Sequence, residues 1–545
     1  MDHGASQFRW LRFRASPLRG VILMFAGGTP APQRFLLSAV YPETQAAMAE
    51  SSIQLKPASQ VPSGESRLAP RVRLAVIGGI TVLGAVLRLL YLGKKSFWLD
   101  EIVSVSIARL DPAGFRNVVM SWELNEGLYY TLLRGWMHLG QGEFAIRLLS
   151  VMPAVAAIPF VYLLGRRLFS ESTGLIAALL LAVNVFDVRY AQEARGYSLF
   201  AFLVVLACWF FVRGMDAPRK KGNWAGLVIA LVLGMYAHFF AGLMLPVFWL
   251  AALLRKRGFP WRSFLVSSGI IVCLAVPALL FVATKNRGQV GWVKPTTWRD
   301  LYDLATLLSG RGGLVLLLLC ATLLLLALAK MMRRAGTPEV WGSAFVWMWL
   351  VLPVAMTVAV SLLKPMFVSR YLIFCLPAFV LLVAVGLSVI RPRWLMAALL
   401  LGMVALSLRG VGAYYRTGFD PPEQDWRGAV HYLLVQAQPG DAVLFYHPLG
   451  RLAYEYYRQR WPQYPAPIVV FPQRADARLL KGTQPDFALL PQLPEHHPRL
   501  WLVQNWGPDV FTRRMDAAFG GHYVKASERD FSVIRIELYQ SALPK

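Results

Sequence analysis

Two adjacent carboxylates, Asp100 and Glu101, follow Phe97-Trp98-Leu99 just after the first long apolar run of a 545-residue chain. An acid in that place can take a proton from a hydroxyl or amine, or help to hold a metal, because partial desolvation at the edge of a hydrocarbon layer tunes its proton affinity. A plainer role fits as well: Asp100 as the cap of a helix beginning at Glu101, where an acceptor and an early acid are both favourable. Glu123, Asn125, Glu126, Tyr129 and Tyr130 lie in the same polar segment. Further on, Gln192-Glu193-Ala194-Arg195-Gly196-Tyr197 gathers an acid, a base and a phenol in one turn, either lining a cavity or forming an exposed Arg/Glu pair of little energetic worth. His238 divides a long apolar run, as a structural turn residue or as a ligand. Ser369-Arg370-Tyr371 opens a late apolar run, and a guanidinium there matches a phosphate group. Lys285, Arg287, Lys294, Arg299 and Arg311 add positive charge between apolar runs, where snorkelling of long basic side chains is the simpler account.

The elements that must position these groups are membrane helices. Hydrophobic residues make up 56% of the chain and charged residues 16%, a composition suited to lipid as the main solvent. The net charge of +26 excludes a nucleic-acid reading once its distribution is considered, because the basic residues recur as short clusters between apolar runs rather than on one soluble face. Hydropathy predicts about 11 spans, at about 72–91, 145–164, 174–188, 199–212, two within 224–254, 264–283, 314–329, 346–363, 371–390 and 394–408. With the N-terminus cytoplasmic, Arg166-Arg167, Arg219-Lys220-Lys221, Arg255-Lys256-Arg257 and Arg333-Arg334 all fall on the cytoplasmic side. The acids, Arg195, His238 and Arg370 then fall outside. Leu128, Leu132, Leu133 and Trp136 recur at helical spacing in 127–139, which predicts a helix lying along the membrane surface. The four cysteines all sit in apolar runs with no spacing that suits zinc or a disulfide framework.

The organisation expected is an N-terminal tail (1–70) without order, with Met48 as an alternative start, a helical membrane domain (71–410) carrying an outer loop at 97–143, and a small α/β domain (411–545) outside the membrane. In the last of these, a helix is predicted at 425–437 and strands at 442–446, 500–504 and 531–538, with a turn at Pro439-Gly440-Asp441.

In this order the segments resemble the GT-C glycosyltransferases, specifically the bacterial branch related to protein O-mannosyltransferases and to the aminoarabinose transferase of lipid A. The resemblance runs from about Val72 to Arg409. It is carried by Phe-Trp-Leu-Asp-Glu at 97–101, Leu-Tyr-Tyr at 128–130, Glu-Phe-Ala-Ile-Arg-Leu-Leu-Ser at 143–150, Tyr-Ala-Gln-Glu-Ala-Arg-Gly-Tyr-Ser-Leu at 190–199, Tyr-Ala-His-Phe at 236–239 and Ser-Arg-Tyr-Leu at 369–372. The resemblance implies an inverting transfer from a polyprenyl-phosphate sugar to a lipid, glycan or protein acceptor, with Asp100 as base and Arg370 on the donor phosphate. It also implies that Glu101, Tyr129, Tyr130, Glu193, Arg195, Tyr197, His238 and Tyr371 contact substrate or line its cavity. The chain departs from many relatives at Asn125-Glu126-Gly127, where a Pro-containing segment is usual, so Glu126 is read only as a polar substrate contact. A divalent metal is compatible with the outer acids. A transporter of lipid-linked sugars would also need many spans, but it would place charges near the midplane and often show repeated halves; here the acids gather on one side and no internal repeat is visible.

Overall fold

The computed structural model describes residues 69–255, 258–285, 293–335, 340–417, 424–473, 493–505 and 519–542, with a few isolated positions besides. The expected tail up to 68, with Met48, and Arg287 lie outside the described residues.

Helix α1 (Pro70–Leu89) starts with Pro at its first position, where the missing N–H costs nothing. The chain then turns at Tyr91, whose φ of 61° lies in the left-handed region, and enters the outer loop. That loop holds α2 (Leu99–Arg109), α3 (Pro112–Ser121), a 3₁₀ turn at Leu124–Glu126 and α4 (Gly127–Trp136). Asp111 begins α3 by accepting hydrogen bonds from the Ala113 and Gly114 N–H groups, both at 3.0 Å. α4 carries helix over the first part of the expected 127–139 segment, with Tyr129, Tyr130 and Leu133 buried and Leu132 exposed.

The membrane bundle continues through α5 (Glu143–Leu168), α6 (Glu171–Ala182), α7 (Val185–Ala191), α8 (Tyr197–Asp216), α9 (Lys221–Ala237), α10 (Met244–Leu254), α11 (Trp261–Lys285), α12 (Trp298–Ser309), α13 (Leu314–Arg333), α14 (Val340–Ser361), a 3₁₀ stretch at Ser369–Cys375 leading into α15 (Leu376–Leu387), and α16 (Arg393–Thr417). Every apolar segment expected from hydropathy carries helix, but not all are long enough to cross. Among the described residues eight helices pass on length and composition, or nine when α6 and α7, bent by 56°, count as one span. The stretches on either side of His238 are shorter because the backbone there is extended (φ −166°, ψ 128°) and the next turn is 3₁₀.

The bend between α6 and α7 has a local cause. Asn184 accepts a hydrogen bond from Phe186 N (2.8 Å) and donates to Leu308 O (2.9 Å). Arg88, fully buried, donates to the freed carbonyls of Leu181 (3.1 Å) and Ala182 (2.9 Å) and pairs with Asp187. Carbonyls released by a broken helix in an apolar surround must find donors, and one guanidinium supplies them.

The C-terminal segment forms α17 (Trp426–Gln436), β1 (Ala442–Phe445), α18 (Gly450–Arg458), β2 (Ile468–Phe471), α19 (Leu493–His496), β3 (Arg499–Asn505), β4 (Tyr523–Phe531) and β5 (Ile534–Ser541). Its sheet has the order β2-β1-β3-β5-β4, with β1 parallel to β2 and β3 and the β3/β5 and β4/β5 pairs antiparallel. The strand expected at 531–538 is corrected here. The chain reverses at Ser532, with φ 61°, so Phe531 ends β4 and the alternation belongs to β5.

This sheet-bearing segment is not separate from the outer loop. Phe97, Leu99, Ile102, Tyr130 and Ile146 share one buried cluster with Trp426, Leu433, Tyr457, Trp501 and Ile536. Burial of each such large side chain contributes about 1.5–3 kcal/mol relative to exposure.

Candidate active site

Helix α2 begins at Leu99, with Trp98 in the N-cap position and Asp100 in the first turn. The cap is supplied by Glu101, whose Oε2 accepts from Trp98 N at 3.2 Å. The alternative that Asp100 caps a helix beginning at Glu101 is therefore corrected: the neighbour performs that service and Asp100 is left over. Glu101 is fully buried, and its two oxygens also take bonds from Arg147 (2.8 and 2.7 Å) and from Ala194 N (2.8 Å). It braces the loop instead of presenting an acceptor to a cavity. Arg147 extends the brace, donating to the carbonyls of Leu92, Lys95 and Ser96 at 2.9, 2.9 and 3.0 Å.

Asp100, half-buried, makes no side-chain hydrogen bond or ion pair among the described residues, and it lies within electrostatic reach of Glu123, Glu126, Arg195, Arg370 and Tyr371. Around it the 3₁₀ turn 124–126 wedges between two other turns. Asn125 accepts from Phe239 N (3.0 Å), and Glu126 accepts from Gly196 N (3.3 Å) and pairs with Arg195 at 2.5 Å. Space at Gly196 is tight, since a Cβ there would stand 3.0 Å from the Ala237 carbonyl oxygen. Arg195 also donates to Tyr130 Oη (3.2 Å) and Ser104 Oγ (3.3 Å), while Tyr130 donates to Glu123 (3.3 Å) and Tyr129 bonds Ser150 (2.8 Å). Burial pushes the Glu123 carboxyl up to about 7, against the opposing pull of Arg195. Glu126 is raised for the same reason, with Arg195 again in opposition.

Of the two readings of the 192–197 turn, the exposed pair between Glu193 and Arg195 is not formed. Glu193 is buried and Arg195 half-buried, Glu193 pairs with Arg189 at 3.3 Å, and Arg195 turns to Glu126. His238 is 1% exposed. Its Nδ1 accepts from Phe240 N (3.3 Å), and its ring lies among Phe200 (5.1 Å), Tyr371 (4.7 Å) and Tyr197 (6.0 Å). Tyr371 stacks on Tyr197 with centroids 6.3 Å apart. Arg370 lies 5.9 Å from the Trp98 ring, which places a guanidinium beside the turn that carries Asp100. Of the basic loop, Lys294 and Arg299 are exposed and Arg311 pairs with Asp303 at 2.5 Å.

The structure thus brings Asp100, Glu126, Tyr130, Arg195, Arg370 and Tyr371 into one electrostatic neighbourhood, with Glu193, Tyr197 and His238 beside it. Among the described residues no group of three His, Cys, Asp or Glu side chains is arranged to hold a metal ion. Sequence reasoning missed the Arg88–Asp187, Arg147–Glu101 and Arg189–Glu193 pairs. A signal was available: an arginine inside an apolar run, away from the cytoplasmic end, requires a buried acid.

Comparison with known proteins bears on this arrangement. The family model for dolichyl-phosphate-mannose-protein mannosyltransferase matches residues 128–284. An undecaprenyl phosphate-alpha-4-amino-4-deoxy-L-arabinose arabinosyl transferase of Pseudomonas fluorescens (strain Pf0-1) is 27% identical over 183 residues, 32% of this chain and 30% of that protein. One from Edwardsiella ictaluri is 28% identical over 185 residues, 32% of each. The chain spans about a third of the length of the curated relatives it matches. The structure of ArnT from Cupriavidus metallidurans bound to undecaprenyl phosphate is similar at a TM-score of 0.60 and 13% identity, covering 88% of this chain and 100% of that one. At that identity what is shared is the fold.

Proposed function

We propose that this chain, a multi-pass membrane protein with the GT-C glycosyltransferase fold and a relative of protein O-mannosyltransferases and lipid A aminoarabinose transferases, transfers a sugar from a polyprenyl-phosphate carrier to an acceptor outside the cytoplasm. The acceptor is a lipid, glycan or protein. The protein sits in a bacterial inner membrane with its N-terminus cytoplasmic and 411–545 outside.

One observation carries the mechanism. Asp100 alone among the acids of this neighbourhood has no protein partner among the described residues, whereas Glu101, Glu123, Glu126 and Glu193 each have one. A carboxylate kept free beside half-buried arginines suits a general base. In the proposed step Asp100 takes the proton from the acceptor hydroxyl or amine, and the freed electron pair attacks the anomeric carbon. The bond from that carbon to the phosphate oxygen breaks, the electron pair leaves with polyprenyl phosphate, and the configuration inverts. The leaving phosphate gains one negative charge, and we assign its stabilisation to Arg370, whose guanidinium lies 5.9 Å from the Trp98 ring. Arg195 pairs with Glu126 and donates to Tyr130, and Tyr197, His238 and Tyr371 form an aromatic group beside them.

The test uses purified full-length protein in nanodiscs, with undecaprenyl-phosphate-linked mannose and aminoarabinose as donors and release of undecaprenyl phosphate as readout. Asp100→Asn is expected to lose about 10²–10⁴-fold in turnover while still binding undecaprenyl phosphate; full turnover removes the base. Arg370→Ala is expected to weaken that binding, and unchanged affinity removes its phosphate role.

A further inference from the structure

The first turn of α2 presents N–H groups that no helix bond can satisfy, and their partners come from the far end of the chain. Leu99 N donates to Gln424 Oε1 at 3.0 Å, across 325 residues, and Phe97 N donates to Tyr457 Oη at 2.8 Å, across 360. Trp98 N, between them, is held by Glu101. Three successive amides just before Asp100 are thus fixed by side chains, two of them from the sheet-bearing segment.

Both donated-to groups are themselves held. Gln424 and Tyr457 are buried at 1% and 0% exposure. The Gln424 oxygen also accepts from Trp426 Nε1 at 3.0 Å, and two N–H donors on one atom fix which end of the amide is oxygen. The backbone of Gln424 bridges Ser532, at the tip of the β4/β5 hairpin. Tyr457 donates to Glu143 Oε1 (3.2 Å) at the start of α5, and Glu143 is gripped by Arg460 at 2.6 Å. Ser96 Oγ donates to Tyr457 and accepts from Arg427 N at 3.0 Å. The apolar side chains flanking the turn, Phe97 and Leu99, pack in the same cluster as Trp426, Tyr456 and Tyr457.

We infer that Gln424 and Tyr457 are positioning residues through which the sheet-bearing segment sets the orientation of the Asp100 turn. The inference rests on the reading of Asp100 as the base. A proton acceptor displaced by a fraction of an ångström to one ångström loses rate, not affinity for a carrier bound elsewhere in the cavity.

The test compares Tyr457→Phe, Gln424→Leu and Gln424→Glu in full-length protein in nanodiscs. Tyr457→Phe and Gln424→Leu should each lower kcat about tenfold and together about a hundredfold, with donor KM and undecaprenyl phosphate affinity unchanged. Gln424→Glu, which keeps an acceptor oxygen, should retain most of kcat. Hydrogen exchange at Phe97 and Leu99, protected in the parent, should accelerate in Tyr457→Phe and Gln424→Leu respectively. Parental kcat in both, or a rise in KM with kcat intact, overturns the inference, as does unaltered exchange. If Asp100→Asn turns over like the parent, accelerated exchange in Tyr457→Phe and Gln424→Leu still supports the clamp while the base assignment fails, so the two failures are distinguishable.

Discussion

Asp100 and Glu101 are neighbours in chemistry as well as in sequence, yet their surroundings divide them. Glu101 carries the loop: it balances Arg147, whose other bonds hold the carbonyls of Leu92, Lys95 and Ser96. Removing one partner of a buried pair leaves the other charge uncompensated, at a cost of about 3–5 kcal/mol. Glu101→Gln is therefore expected to lower thermal stability sharply, whereas Asp100→Asn, which has no bond to lose among the described residues, should melt like the parent; equal melting of all three would mean that Glu101 bears no such load. Glu123 supplies a pH test. Its carboxyl is raised by burial from an ordinary 4.5 to about 7, so between those values the folded protein binds more protons than the unfolded chain. Stability then falls as pH rises through that window. Glu126 is shifted in the same direction. An apparent melting temperature that declines from about pH 5 to about pH 8, and a shallower decline in Glu123→Gln, is the expected outcome. At this scale the sequence was legible in residue types but not in pairings. It placed Glu193 and Arg195 in one turn and left their pairing as one of two readings, because spacing alone says nothing of Glu126 and Arg189, with which the fold pairs them.

The helices were legible from apolar length and charge spacing, since lipid leaves the backbone little alternative. What hydropathy could not show is where a span breaks, because the residues that stabilise a break are few and lie on other elements. Arg88 is the clearest case. It sits at the end of α1, yet it satisfies the carbonyls that end α6 and the acid in the first turn of α7. Gln192 returns the contact by donating to the Arg88 and Leu90 carbonyls at 3.0 and 2.7 Å. Arg88→Ala should thus lower the yield of folded protein in membranes by the cost of an orphaned acid and two orphaned carbonyls, about 3–5 kcal/mol or more. The double variant Arg88→Met with Asp187→Leu should recover only part, because the carbonyls stay unpaired. Full recovery in size-exclusion profiles and thermal unfolding would assign the whole effect to the charge pair.

At the scale of the molecule, the outer loop and the sheet-bearing segment share a buried cluster and must lie on the same side of the bilayer. The proposal that this side is the outer one rests on the basic clusters: Arg166-Arg167 end α5 and Arg219-Lys220-Lys221 join α8 to α9, at the ends away from Glu143 and Tyr197, which begin α5 and α8 near the acids. The docking itself was not readable, since it depends on Gln424 and Tyr457 meeting residues more than three hundred positions earlier. The orientation can be tested without disturbing the site. Three of the four native cysteines are buried and the fourth, Cys273, lies within membrane helix α11. A membrane-impermeant maleimide therefore reports mainly on introduced thiols. Val524→Cys, at a position 62% exposed on the edge strand β4, should label in intact spheroplasts, whereas Lys220→Cys should label only after permeabilisation. The reverse pattern would put the acids, Arg370 and the sheet in the cytoplasm, out of reach of an acceptor outside. Labelling of both in intact cells would break the alternation of helices between the two positions.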